Sequence, residues 1–150
     1  MLGITIKEIE ITVNTNNGVF STYIPFKKGL NIIRAENSSG KSTCINAIAY
    51  SLGLESILGP TRKKPFPKSL YEVIYKDKKE DEEFVVINSQ VRLVVENKLG
   101  ISATFTRDIL GDKNKVTISY EGETEDYFLG SAGSIGSAAS SRGFHYWLNN

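Results

Sequence analysis

Eight consecutive residues stand out for their chemistry: Glu36-Asn37-Ser38-Ser39-Gly40-Lys41-Ser42-Thr43. Small polar residues run into a glycine, then a lysine, then two hydroxyls. That order suits a polyphosphate. A loop of this kind turns several backbone N–H groups inward onto phosphate oxygens, and a helix that starts there adds the partial positive charge of its N-terminus. In this reading Glu36, Asn37, Ser38 and Ser39 form the cradle. Gly40 lets the backbone come close where a Cβ would intrude. Lys41 reaches the β- and γ-phosphates, Ser42 offers its hydroxyl to Mg²⁺, and Thr43 contacts an inner phosphate. The phosphate-loop pattern is G-x-x-x-x-G-K-[ST], and its first glycine is here Ala35. If the backbone at that position needs a positive φ, alanine costs on the order of 1 kcal/mol. No phosphate ligand is lost either way.

Such a loop must be held between a strand and a helix. The apolar run Leu30-Asn31-Ile32-Ile33 reads as a short buried strand leading in. After Lys41 the period becomes helical, with Ile45, Ile48, Ala49 and Leu52 at i, i+3, i+4 and i+7 and Gly53 as the stop. Upstream, Ile4 and Ile6 alternate, and Ile9, Ile11 and Val13 alternate in the opposite phase. That switch at Lys7-Glu8 predicts a β-bulge. Asn16-Asn17-Gly18 predicts a hairpin turn, since Asn-Gly accommodates positive φ. Residues 19–24 return as a strand that Pro25 ends, and Lys28-Gly29 turns again.

Downstream, residues 59–68 hold three prolines and four basic side chains and read as an exposed loop. Residues 69–75 suit a short helix or strand, and the mixed-charge run 76–83 a solvated turn. From Phe84 the pattern is β again. Val91, Leu93 and Val95, then Ile101, Ala103, Phe105 and Arg107, then residues 116–120 mark a three-strand antiparallel meander with one face buried. The Gly/Ser/Ala-rich stretch 130–143 reads as a connector, and the aromatic residues 144–150 as the start of an element that continues elsewhere. The expected division is therefore a lobe over 1–129, a connector and a truncated element.

Composition adds bounds. The 150 residues carry 18 basic and 17 acidic side chains, so no overall charge marks the chain for nucleic acid. One cysteine, Cys44, allows no internal disulfide. No signal peptide opens the sequence, and no run nears the ~20 apolar residues that span a bilayer. A cytoplasmic protein without a membrane partner is expected. Cys44 reads as a packed helix residue, and His145, the only histidine, lacks companions at metal-ligand spacing. Arg62, Lys63, Lys64 and Lys68 read as a solvated loop.

The run from the first hairpin through GLNIIRAENSSGKSTCINAIAYSLG resembles the N-terminal part of the SMC-like ATPase heads, which include RecF, RecN and the ATPase subunit of the double-strand-break repair complex. Their pattern is G-L-N-x-I-x-G-x-N-x-x-G-K-[ST]-[ST]-x-x-x-A-I. Gly29-Leu30-Asn31, Ile33, Asn37, Gly40-Lys41-Ser42-Thr43 and Ala47-Ile48 match it, and Ala35 departs from it. The resemblance implies an α/β fold: the N-terminal lobe of a P-loop NTPase, with a β-hairpin, strand–P-loop–helix and an antiparallel β-meander. It implies ATP and Mg²⁺ as ligands, and as partners a second head or the C-terminal half of the same head, with DNA as a further candidate. Such heads join when ATP binds and part after hydrolysis. They also need a Walker B strand ending in Asp-Glu and a signature motif. Here the apolar run Phe84-Val85-Val86-Ile87 is followed by Asn88-Ser89, and no signature motif is found. Gln90 reads as a strand residue and not as a Q-loop glutamine. The expectation is half of a split head with no catalytic residue of its own. The competing readings are a degenerate lobe serving as an interaction module and a small-molecule kinase, the latter without a candidate lid.

Overall fold

The computed structural model describes residues 3–37, 40–54, 66–76 and 82–129. Strand β1 (Ile4–Thr15) and strand β2 (Gly18–Pro25) form the expected hairpin, closed by the Thr15–Gly18 pair around Asn16 and Asn17. Positive φ falls on Gly18 alone, not on the asparagines. Asn16 is used for pairing instead. Its side chain donates to the Glu83 carbonyl (3.1 Å) and accepts from the Val85 N–H (2.9 Å). The hairpin tip is thereby tied to the beginning of strand β4 (Glu83–Asn97).

Strand β4 is the long central member. It pairs with β1 on one side and with strand β5 (Ser102–Leu110) on the other. The register against β1 passes from Ile6–Val95 to Glu8–Val94 and leaves Lys7 as the extra residue. This is the bulge that the phase switch predicts, and its effect is specific. Ile6 and Ile9 are an odd number of residues apart, yet both pack against the core.

Strands β6 (Lys115–Tyr120) and β7 (Glu123–Phe128) complete the antiparallel order β2-β1-β4-β5-β6-β7. The fourth meander strand is an addition to the expected three. Its apolar alternation is weak, but its turn is readable. Glu121 and Gly122 take φ of 48° and 88°, the mirror-image turn that suits two-residue hairpins. Residues 69–75 supply both alternatives that the sequence left open. A 3₁₀ turn (Lys68–Leu70) is followed by strand β3 (Val73–Lys76), which pairs with the start of β4.

The two sheet faces differ as alternation requires. Ile9, Ile11, Val13, Val91, Leu93, Val95, Phe105, Val116 and Ile118 are buried on one. The other carries hydrogen-bonded polar side chains. Glu8 accepts from Arg92 (2.8 Å) and from Tyr23 (2.8 Å), and Asp126 accepts from Thr117 (2.6 Å) and Lys115 (3.2 Å). On the apolar side lies helix α1 (Lys41–Ser51), packed on β4, β1 and β5.

Three expectations are corrected. First, α1 buries Cys44, Ala47, Tyr50 and Ser51, with Ile48 partly covered, while Ile45 is 61% exposed. The expected Ile45-Ile48-Ala49-Leu52 stripe is kept in part, since Ile48 and Leu52 pack against the core, Ala49 is half-buried and Ile45 alone of the four is exposed. Two overlapping stripes have helical spacing, and the one with Ala47 and Ser51 lets the helix lie close to the sheet. Second, Phe66 is buried and meets the Tyr50 ring edge-on at 5.1 Å. Aromatic burial takes Phe66 out of the exposed loop expected over 59–68, while Pro67 and Lys68 are exposed and residues 59–65 lie outside the described residues. Third, residues 30–33 form no strand. They have no ladder among the described residues, and Leu30 and Ile32 are 88% and 79% exposed. A strand needs a neighbour to satisfy its backbone groups, and none of the described strands is placed to serve.

Candidate phosphate-binding site

The approach to the loop is fixed by a side chain. At Gly29 the backbone takes φ 96°, and Asn31 closes the turn around it. The Asn31 Oδ1 accepts from the Lys27 N–H (2.9 Å), and its Nδ2 donates to the carbonyls of Lys27 (2.7 Å) and Gly29 (3.0 Å). The asparagine in Gly29-Leu30-Asn31 thus has a physical task, which is to hold a turn that has no ladder to hold it.

Helix α1 begins at Gly40, which is in the left-handed region with φ 89° and ψ 10°. A Cβ there would meet nothing within 4 Å, so the need for glycine comes from the backbone angle. The helix start has two properties that suit an anion. Gly40 offers no side-chain cap, and the first turn holds no acidic residue. The first helical bond runs from the Cys44 N–H to the Gly40 carbonyl (3.0 Å), so the N–H groups of the preceding turn precede the ladder.

Lys41 folds back over the loop. Its Nζ donates to the carbonyls of Ala35 (2.5 Å) and Glu36 (2.7 Å). The two ends of the motif are therefore in contact through the lysine. Ala35 does not have a positive φ; among the described residues other than glycine, only Glu121 does. The strain that alanine would suffer in the left-handed region is absent.

Six of the eight expected residues have a definite place. Gly40, Lys41, Ser42 and Thr43 are contiguous at the helix start, with Ser42 exposed and Thr43 half-buried. Glu36 and Asn37 are exposed on the way in, and Glu36 meets Lys41 through its carbonyl. Ser38 and Ser39 lie outside the described residues, as do Arg62, Lys63, Lys64, His145, residues 77–81 of the mixed-charge run 76–83, the 130–143 connector and residues 144–150. Lys68 pairs with Glu72 at 3.1 Å. Cys44 is buried, and burial pushes its thiol pKa up, which suits packing and not nucleophilic reactivity.

The opposite end of α1 is closed as Gly53 predicts. The Gly53 N–H reaches the Tyr50 carbonyl (3.0 Å), the Leu54 N–H reaches the Ala49 carbonyl (2.9 Å), and Gly53 has φ 68°. These are the paired bonds of a Schellman cap. Asn88 and Ser89, which follow the apolar run Phe84-Val85-Val86-Ile87, have structural partners. Asn88 accepts from the Asn14 side chain, and the buried Ser89 hydroxyl donates to the Leu70 carbonyl. Gln90 sits within β4 between Thr12 and Asp108, as a strand residue.

Among the described residues no helix is long and apolar enough to cross a membrane. A family model described as an AAA domain matches residues 10–135. No curated protein and no solved structure matches the chain.

Proposed function

The chain belongs to the AAA domain family, and from that premise we propose that it is the ATP-binding lobe of an SMC-like ATPase that takes part in DNA repair, chromosome maintenance or defence. One observation carries this reading. An uncapped helix start, entered through a left-handed glycine, lies beside a lysine whose ammonium folds over the same loop. Glu36, Asn37, Ser38, Ser39, Gly40, Lys41, Ser42 and Thr43 hold the nucleotide phosphates. The Ser42 hydroxyl would serve as a ligand for Mg²⁺. No cluster of three metal-binding side chains occurs among the described residues. The Ser42 hydroxyl would offer Mg²⁺ a hard oxygen donor of the kind that ion favours.

The lobe alone is expected to turn over little ATP, because its sequence has no apolar strand ending in the Asp-Glu pair that would orient water. Hydrolysis requires the C-terminal half of the head, or a second head. The competing reading is an interaction module that no longer takes nucleotide. It rests on Ala35 and on the absent carboxylates, and Ala35 has none of the left-handed strain that would disable the loop.

Calorimetric titration with Mg²⁺-ATP tests the proposal. The chain is expected to bind saturably, and Lys41→Ala to abolish that binding. Equal affinity in the two proteins overturns the assignment.

A further inference from the structure

Arg107 is an unusual residue for the buried phase of a strand. It occupies β5 opposite Val91, between Phe105 and Ile109, and is 5% exposed. Its guanidinium joins two parts of the fold. Nη1 donates to the Tyr50 carbonyl in the last turn of α1 (2.6 Å), and Nε and Nη2 donate to the Lys113 carbonyl in the β5–β6 turn (3.1 and 2.8 Å). The guanidinium also stacks on the Tyr50 ring, 3.7 Å from its centroid. The Tyr50 hydroxyl completes the clamp by donating to the Asp108 carbonyl.

The Tyr50 carbonyl accepts from Gly53 as well. It belongs to the group of carbonyls that a helix leaves unsatisfied at its end. A cation at that end is favoured by the helix dipole, and the planar fork of arginine supplies several donors at fixed angles, which lysine cannot. Tyr50 is nine residues beyond Lys41, which is about 14 Å along the axis. Residues 30–36, on the other side of the loop, have no ladder. Among the described residues the loop therefore takes its orientation from α1, and α1 has its charged anchor at Arg107.

We propose that Arg107 is a positioning residue for the phosphate loop: by clamping Tyr50 at the far end of α1 to the β5–β6 turn, it sets the direction in which the helix start faces the nucleotide. The inference rests on the nucleotide reading for its consequence, but the clamp itself is testable without ligand. The Arg107→Lys variant keeps the charge and can reach one of the two carbonyls, but not both in the arginine geometry. The Arg107→Met variant keeps the apolar stem and removes every donor. Ile118→Val, a small core change on the next strand, is the control for general destabilisation.

Two measurements decide it on fully folded protein. Amide hydrogen exchange without nucleotide is expected to quicken in the first turn of α1 in Arg107→Lys, at the end remote from the substitution, and not in Ile118→Val. Mg²⁺-ATP affinity is expected to fall roughly 3- to 10-fold in Arg107→Lys, within the usual range for residues that act on a site through intervening structure. It should fall further in Arg107→Met. If Arg107→Met does not fold, Arg107→Lys decides alone. Unchanged exchange in the first turn of Arg107→Lys overturns the proposal, as does an equal change in the control. Failure of the wild-type chain to bind ATP overturns the nucleotide reading instead and leaves the exchange result to judge the clamp.

Discussion

Ala35→Gly restores the glycine that the phosphate-loop pattern has at its first position, and it is expected to weaken the protein. Ala35 already avoids the left-handed region, so glycine relieves no strain. What glycine adds is freedom. Relative to alanine it costs about 0.4–1 kcal/mol of extra conformational entropy wherever the backbone is fixed in a conformation that alanine accepts. The loop is already fixed in part, because Lys41 holds the Ala35 carbonyl. Some of the loss therefore falls on folding and the rest on binding. Their sum is the meaningful quantity, since both lead from the disordered chain to the loaded loop. If the whole loss falls on binding, affinity drops about 2- to 5-fold. The assay pairs urea denaturation of the free protein with calorimetric titration of Mg²⁺-ATP, for the wild type and Ala35→Gly. A summed loss near 0.4–1 kcal/mol is expected. Tighter binding by the glycine variant, with stability unchanged, would refute the reasoning, because it would mean that the loaded loop demands a backbone angle which alanine resists.

Two further expectations concern the supporting structure. Asn31→Ala removes three hydrogen bonds around the Gly29 turn. At an exposed site this should cost about 1–2 kcal/mol, read as a lower urea midpoint at unchanged slope, with Asn31→Asp intermediate because it keeps the acceptor for the Lys27 N–H. Glu8 is held below the usual carboxylate pKa by hydrogen bonds from Tyr23 and Arg92. A depressed folded-state pKa stabilises fully above the unfolded value and loses that stabilisation as pH falls through the folded one. Urea midpoints of the wild type and Glu8→Gln should therefore differ at neutral pH and converge in acid, and a gap that persists in acid would contradict the assignment.

What the sequence revealed followed from whether a signal was local. The Lys7 bulge, the first hairpin, the Gly53 stop and the alternation of β4, β5 and β6 each depend on a few adjacent residues and a fixed period. The face that α1 buries does not. Ile45 and Ala47 both sit on stripes of helical spacing, and the sheet beneath chose the stripe that fits closely. Strand 30–33 failed for a related reason. An apolar run states that a strand is affordable in side-chain terms, but pairing requires a neighbour that no local pattern names. Arg107 was visible as a member of the β5 alternation, yet its partners on α1 and in the β5–β6 turn are set by topology. For the candidate site, the order of residues 36–43 suggested the chemistry, while the grip of Lys41 on two carbonyls needed the fold of the loop.

That grip bears on how tightly a nucleotide can bind. A phosphate arriving at the loop does not meet a bare ammonium, because Lys41 already gives two of its three donors to the Ala35 and Glu36 carbonyls. Binding must exchange those bonds for phosphate oxygens, and the net gain is the difference between a charge-assisted bond to a neutral carbonyl and one to an anion. The difference favours phosphate, and it grows as more negative charge comes within reach. A ligand that stops short of the γ-phosphate leaves less to repay the broken carbonyl bonds. The carbonyl bonds are exchanged for ATP and ADP alike, so they lower both affinities by a similar amount, and ATP should outbind ADP only by what Lys41 gains from the charge of the γ-phosphate. In the proposed site the Ala35 and Glu36 carbonyls thus set the strength of binding, and not the preference between the two nucleotides, without touching either.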